Sequence, residues 1–140
     1  MNETLKHNVF IVWKQEYNLG IPIIDEQHRG IVTIINSLYY GIQNKYIEDI
    51  LVPIVDMIKD YTQIHFQIEE IFLEQYHFPD LAGHHSLHDD LIAKLAIIGN
   101  KSMLNQDPFQ FLDFLKKWWI DHICAEDQTF RDFLYKQNNC

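Results

Sequence analysis

Four separate stretches of this chain set a histidine into the apolar stripe of an amphipathic helix, and few folds accommodate that. The stripes follow the three- and four-residue steps that keep side chains on one helix face. The second stretch shows it best, with Ile54, Ile58, Tyr61, His65, Ile68 and Phe72 in succession. Glu69 stands one helical turn after His65, on the same face. A neutral imidazole and an ionised carboxylate on a core seam are costly unless something satisfies both together, and a bound metal ion does so.

The other three stretches repeat the pattern. His28 opens a stripe of Ile31, Ile35, Leu38, Tyr39 and Ile42, with Asp25 expected as the helix N-cap. His84 and His88 head a face continued by Leu91, Leu95 and Ile98, and Phe111, Leu115 and Trp118 lead to His122 behind an Asp107-Pro108 helix start. Breaks fall at Gln43-Asn44-Lys45, at the Tyr76 to Gly83 segment with Pro79 and Gly83, and at Gly99-Asn100. The spacing therefore predicts an extended N-terminal arm over about 1–23 and helices over about 25–42, 47–75, 84–103 and 108–136. With short connections, these form a single all-α domain, an antiparallel up-down-up-down four-helix bundle. Pro53 is tolerated in the second helix only in its first turn or at a kink. The arm brings Trp13 and Tyr17 to pack on the domain, and 140 residues with 47% hydrophobic content suffice for one core.

A net charge of -9 without a Lys/Arg cluster disfavours nucleic acid and anionic membrane surfaces as partners. No apolar run approaches the roughly 20 residues of a membrane span, and Val9 to Trp13 is shorter than the about 7–15 residues of a signal-peptide core. A cytoplasmic location is the expectation. Cys124 and Cys140 share no spacing motif and form no disulfide framework, and Cys124 is read as packing.

The inward-facing polar set is thus His28, His65, Glu69, His84, His88 and His122, with Asp127 five residues beyond the last. Any one such histidine is more often a core imidazole bonded to backbone. Five of them facing one core with two carboxylates would be destabilising as a merely structural network. Asp127 is the least direct member, because five residues advance about 500° around an α-helix. Either its side chain reaches across from the flank, or a π-type turn near Cys124 to Asp127 brings it into line. His85 is assigned to the outer face, and His77 and His7 to the surface. So many donors exceed one ion and suit two ions bridged by carboxylates, iron or manganese rather than tetrahedral zinc. Two six-coordinate sites sharing two carboxylates and a solvent oxygen have room for six nitrogens. Only five are present, so one position stays open for a small molecule.

At these residues the chain resembles the hemerythrin family, in its single-domain bacterial form, bacteriohemerythrin. The resemblance runs through Trp13, Glu16-Tyr17, Gly20-Ile21, Ile24-Asp25, Gln27-His28, His65-Phe66, Glu69-Glu70, Pro79, His84, His88, Trp118, His122-Ile123 and Asp127. It implies a non-haem centre of two iron ions with a bridging oxo or hydroxo group that binds O2 reversibly, for storage, delivery or scavenging, with NO or other small molecules as further ligands. One iron would take His84, His88 and His122 and the other His28 and His65, bridged by Glu69 and Asp127, with the open position on the two-histidine iron. Phe66, Ile68, Trp118, Trp119 and Ile123 are candidates for an apolar, water-excluding pocket lining. Two positions depart from the family pattern: Trp119 stands where leucine is usual beside the O2 pocket, and Phe130 stands where many members have tyrosine. A sensor responding to O2, NO or iron and a di-iron oxidase are the competing readings. The oxidase fits less well, because carboxylate-rich bundles that activate O2 carry more Glu than His at their metals.

Overall fold

Proline sets the start of the first helix. Pro22 occupies its first turn with Ile21 as N-cap, since a fixed φ and a missing N–H cost nothing there. The helix therefore begins ahead of Asp25, which corrects the capping role expected of that residue. Asp25 is instead buried inside the helix, and its carboxylate accepts from the backbone N–H of Leu19 at 2.7 Å and of Gly20 at 3.2 Å. It pins the arm to the helix rather than ending it.

The computed structural model describes residues 9–138, apart from the side chains at 120, 126, 127, 137 and 138. His7 and Cys140 lie outside the described residues. After a single 3-10 turn, Gln15–Tyr17, the elements are α1 (Pro22–Gln43), α2 (Ile47–Gln75), α3 (Leu81–Asn105), α4 (Pro108–Trp118), a π-helical segment (Trp119–Glu126) and α5 (Asp127–Asn138). The last three run on as one fourth rod. The helices pack in sequence, α1 on α2, α2 on α3 and α3 on α4, and α4 closes against α1. No strand occurs among the described residues, and the fold is the antiparallel four-helix bundle that the stripes predict.

Each connection turns through one non-glycine residue in the left-handed region, Lys45, His77 or Gln106. Asp80 caps α3 four residues ahead of His84, its side chain accepting from the Gly83 N–H at 3.2 Å, and Asp107 likewise caps α4. Pro53 sits inside α2, past the first turn, on a solvent-exposed face where the carbonyl it leaves unpaired is not buried. Where α1 crosses α2, the Tyr61 hydroxyl occupies the space that a side chain at Gly30 would need.

Buried apolar residues form two clusters. The larger contains Ile31, Ile35, Leu38, Ile58, Phe66, Leu95, Phe111, Leu115, Trp118, Trp119 and Ile123. The smaller contains Leu19, Ile21, Ile24, Leu73, Phe130 and Leu134, with Ile68 and Leu81 packed against it. In every helix the histidines fall at the boundary between the two, His28 between Ile24 and Ile31 for instance.

The arm is fastened by Asn36, whose side-chain oxygen accepts from the N–H groups of Phe10 at 3.0 Å and Ile11 at 2.8 Å while its amide donates to the Ile11 carbonyl at 2.8 Å. Asn36→Ala removes three bonds at once and leaves two donors without their acceptor. A loss of about 1–3 kcal/mol in urea unfolding is expected, with the arm becoming the first site of proteolysis. An unchanged denaturation midpoint and cleavage pattern would show that the arm is held by its aromatic contacts alone.

Candidate metal centre

Glu69 stands at the middle of the site because α2 is the helix that faces both α1 and α3. Its carboxylate is completely buried, and the two oxygens look in different directions. Oε2 lies 3.2 Å from His65 Nε2 and 4.0 Å from His28 Nε2, and the two imidazole nitrogens are themselves 3.2 Å apart. Oε1 accepts from His84 Nε2 at 2.6 Å and lies 3.2 Å from His88 Nε2. His122 completes that second group, its ring 5.0 Å from His88 and 5.6 Å from His84. Two donor groups result, Glu69 with His84, His88 and His122, and Glu69 with His28 and His65, in each of which the atoms lie within 4.8 Å of one another.

The donors fit metal ions on three counts. Neighbouring ligands about 2.1 Å from one six-coordinate ion stand about 3 Å apart, which is the spacing of these atoms. His88 also gives its Nδ1 proton to Glu70 Oε1 at 3.1 Å, because a carboxylate only accepts, so a neutral ring presents a bare Nε2 to Glu69 Oε1. His88 Nε2 and Glu69 Oε1 then face each other without a proton between them, and on the other side of the carboxylate Oε2 has no hydrogen-bond partner. A cation on each side satisfies these atoms. Finally, burial lowers His28 to about 4 and His122 to about 3, against weaker opposing pulls from Glu69. Burial lowers His65 too, while for Glu69 the burial that would raise it is outweighed by the imidazoles around it, His84 with its hydrogen bond among them, leaving it well below the ordinary carboxylate range. At neutral pH these groups are in the protonation states that bind metal.

That chemistry has a sign in pH. Unfolded histidines take up protons near 6.5, whereas folded His28 and His122 resist until about 4 and about 3. Between those values the unfolded chain binds more protons, so stability is fullest above 6.5 and falls as pH drops through the window. The melting temperature of metal-free protein is therefore expected to decline steadily from neutral pH to about 4, and a flat or rising curve would contradict it.

Residues Trp119–Glu126 are π-helical, a longer and earlier stretch than the turn expected near Cys124. Hydrogen bonds there close over five residues, so the five-residue step from His122 ends closer to the same face than it would in an α-helix. The side chain of Asp127 itself lies outside the described residues. His85 and His77 are exposed, as expected, and Cys124 packs against the larger apolar cluster.

The apolar residues divide around the donors. Phe66 lies flat on His88, ring centroids 3.7 Å apart and planes 1° apart, and meets Trp118 and His122 edgewise. Trp119 stands edgewise to His28 at 6.2 Å and is backed by Trp13 and Tyr17 from the arm. Ile123 is buried in the same cluster, but Ile68 belongs with the smaller cluster toward Leu73. On the opposite side an open cleft of about 590 Å³, lined by Phe78, Asp80, Leu87, Asp132 and Phe133 among others, reaches His84.

Two supporting residues escaped the sequence reading. Gln27 Oε1 accepts from His65 Nδ1 at 2.8 Å, and Glu70 holds His88 and, at 2.8 Å, the exposed His85. Their only signal in the sequence is adjacency to His28 and Glu69.

The family described as Hemerythrin HHE cation binding domain matches residues 19–134, a span that contains every one of these donors. A Bacteriohemerythrin from Clostridium acetobutylicum is 34% identical over 127 residues, covering 86% of this chain and 98% of that protein. A Bacteriohemerythrin from Stenotrophomonas maltophilia is 31% identical over 123 residues, 87% of this chain and 80% of its own length. A Myohemerythrin-1 from Phascolopsis gouldii is 25% identical over 120 residues, 86% and 91% of the two chains. With the family's domain spanning most of the chain and relatives above 30% identity covering most of its length, the chain belongs to the hemerythrin family.

Proposed function

We propose that this protein binds O2 reversibly at a non-haem di-iron centre, as a storage, delivery or scavenging protein rather than an enzyme. The observation that carries the reading is the inequality of the two donor groups around Glu69, three imidazoles on one side and two on the other. His84, His88 and His122 would hold one iron and His28 and His65 the other, with Glu69 shared and Asp127 as the second bridge. The chemistry such a centre supplies when loaded is two-electron exchange with O2, one electron from each iron.

The chain's own residues prepare that exchange. Gln27 and Glu70 accept hydrogen bonds from the outer Nδ1–H groups of His65 and His88, which turns the Nε2 lone pairs inward. Phe66 fixes the plane of His88. Trp119, Trp118 and Ile123 are each no more than 4% exposed and exclude water from the donors, which keeps a bound ligand from being lost to solvent protons. An imidazole-rich set, five histidines to one carboxylate among the described residues, carries little negative charge to drive O2 activation further, which supports binding over oxidase chemistry. No described helix is long and apolar enough to cross a membrane.

The test is to load metal-free protein with ferrous iron under anaerobic conditions, admit O2, and follow the optical and Raman spectra through cycles of deoxygenation. A stable adduct that disappears and returns supports the reading. Rapid oxidation at first exposure, or one iron per chain, removes it.

A further inference from the structure

His65 and His88 each have their outer nitrogen held by a side chain from another helix, and the two holders differ in charge. His65 Nδ1 on α2 donates to Gln27 on α1, a neutral amide, at 2.8 Å. His88 Nδ1 on α3 donates to Glu70 on α2 at 3.1 Å. The Glu70 oxygen is further fixed by exposed His85 at 2.8 Å, and the His88 ring is clamped face to face by Phe66. Neither Glu70 nor Gln27 belongs to the two donor groups. Each acts through the histidine it holds.

Building on the binuclear reading above, we propose that Glu70 and Gln27 set the order in which the centre takes up its two metal ions. The ion held by His84, His88 and His122 enters first, and the ion held by His28 and His65 enters second. A carboxylate accepting from Nδ1–H pulls that proton and leaves more electron density at Nε2 than an amide does, because hydrogen bonds to a charged acceptor are stronger. The anionic holder therefore strengthens a donor on the side that already has three imidazoles, and the neutral holder leaves the two-imidazole side weaker. The more weakly held ion is also the better Lewis acid.

The experiment titrates metal-free protein with cobalt(II), read by its visible absorption bands and by calorimetry. The unaltered chain is expected to take two equivalents in resolved steps. Glu70→Gln keeps the hydrogen bond but removes the charge behind it, and should weaken the first step by about tenfold and leave the second within about twofold. Gln27→Glu should tighten the second step by about tenfold and leave the first, so either change narrows the gap. Nitrogen NMR of the metal-free chain supplies a readout without any metal. His65 and His88 should be Nδ1–H tautomers, kept in Glu70→Gln and lost at His88 in Glu70→Leu.

Equal changes in both steps, or an unchanged gap in both variants, would overturn the proposal. If Glu70→Gln does not fold, Gln27→Glu still decides it. Two equivalents taken up in one merged step by the unaltered chain overturn the ordering and leave the O2 reading standing, whereas a single equivalent overturns both. Ordered uptake without a reversible O2 spectrum overturns only the O2 reading.

Discussion

Glu69→Gln is expected to abolish the binuclear centre while leaving the bundle folded. Both donor groups run through this one carboxylate, with Oε1 toward His84 and His88 and Oε2 toward His65 and His28. An amide has one weak oxygen donor and no charge, so it bridges nothing. The loss of affinity should exceed the roughly 10–100-fold that follows from removing a partner behind a ligand. Metal stoichiometry is the direct measurement and should fall from two ions to at most one. Metal-free protein keeps the side-chain volume but loses a carboxylate that the fold favours in its charged form and that accepts from His84. Helical content of the metal-free variant should match the parent, with a lower melting temperature at neutral pH. Two tightly bound ions in Glu69→Gln would mean that the shared carboxylate is not a ligand.

Trp119→Leu is expected to give the second largest effect, this time on kinetics. The indole is 2% exposed, stands edgewise to His28 and carries Trp13 and Tyr17 on its other side. Leucine leaves a gap beside His28 and loosens the arm, so water reaches the donors and ligands move more freely. Removing about 1.4 kcal/mol of barrier corresponds to tenfold in rate, and a rise of about that size is expected in both O2 release and autoxidation. Stability should fall by about 1–3 kcal/mol, less than for truncation of a buried aromatic to alanine. Stopped-flow measurement of the two proteins decides the matter: identical release and autoxidation rates would show that Trp119 only fills space.

The bundle and the inward imidazoles were legible because both depend on spacing along one helix. Any register that buries Ile58 and Leu73 also buries His65 and Glu69. What escaped depends on meetings between helices or on competition between local rules. Gln27 and Glu70 reach histidines 38 and 18 residues away, and nothing near them in sequence announces it. Asp25 satisfies the rules for an N-cap, but Pro22 satisfies those for a first helical residue, and the earlier start won. The five-residue step from His122 to Asp127 hinted at a wider turn, though not that it would extend back to Trp119. Ile68 shares the stripe of His65 yet faces the smaller apolar cluster, because a stripe specifies the inward direction and not the level along the bundle.

The polar layer has a mechanical consequence. It separates two greasy compartments, and each of the four rods crosses from one to the other through it. Without ions, either end is expected to loosen ahead of the other. A loaded centre would act as a rivet through the waist of the molecule, so that the ends hold or fail together.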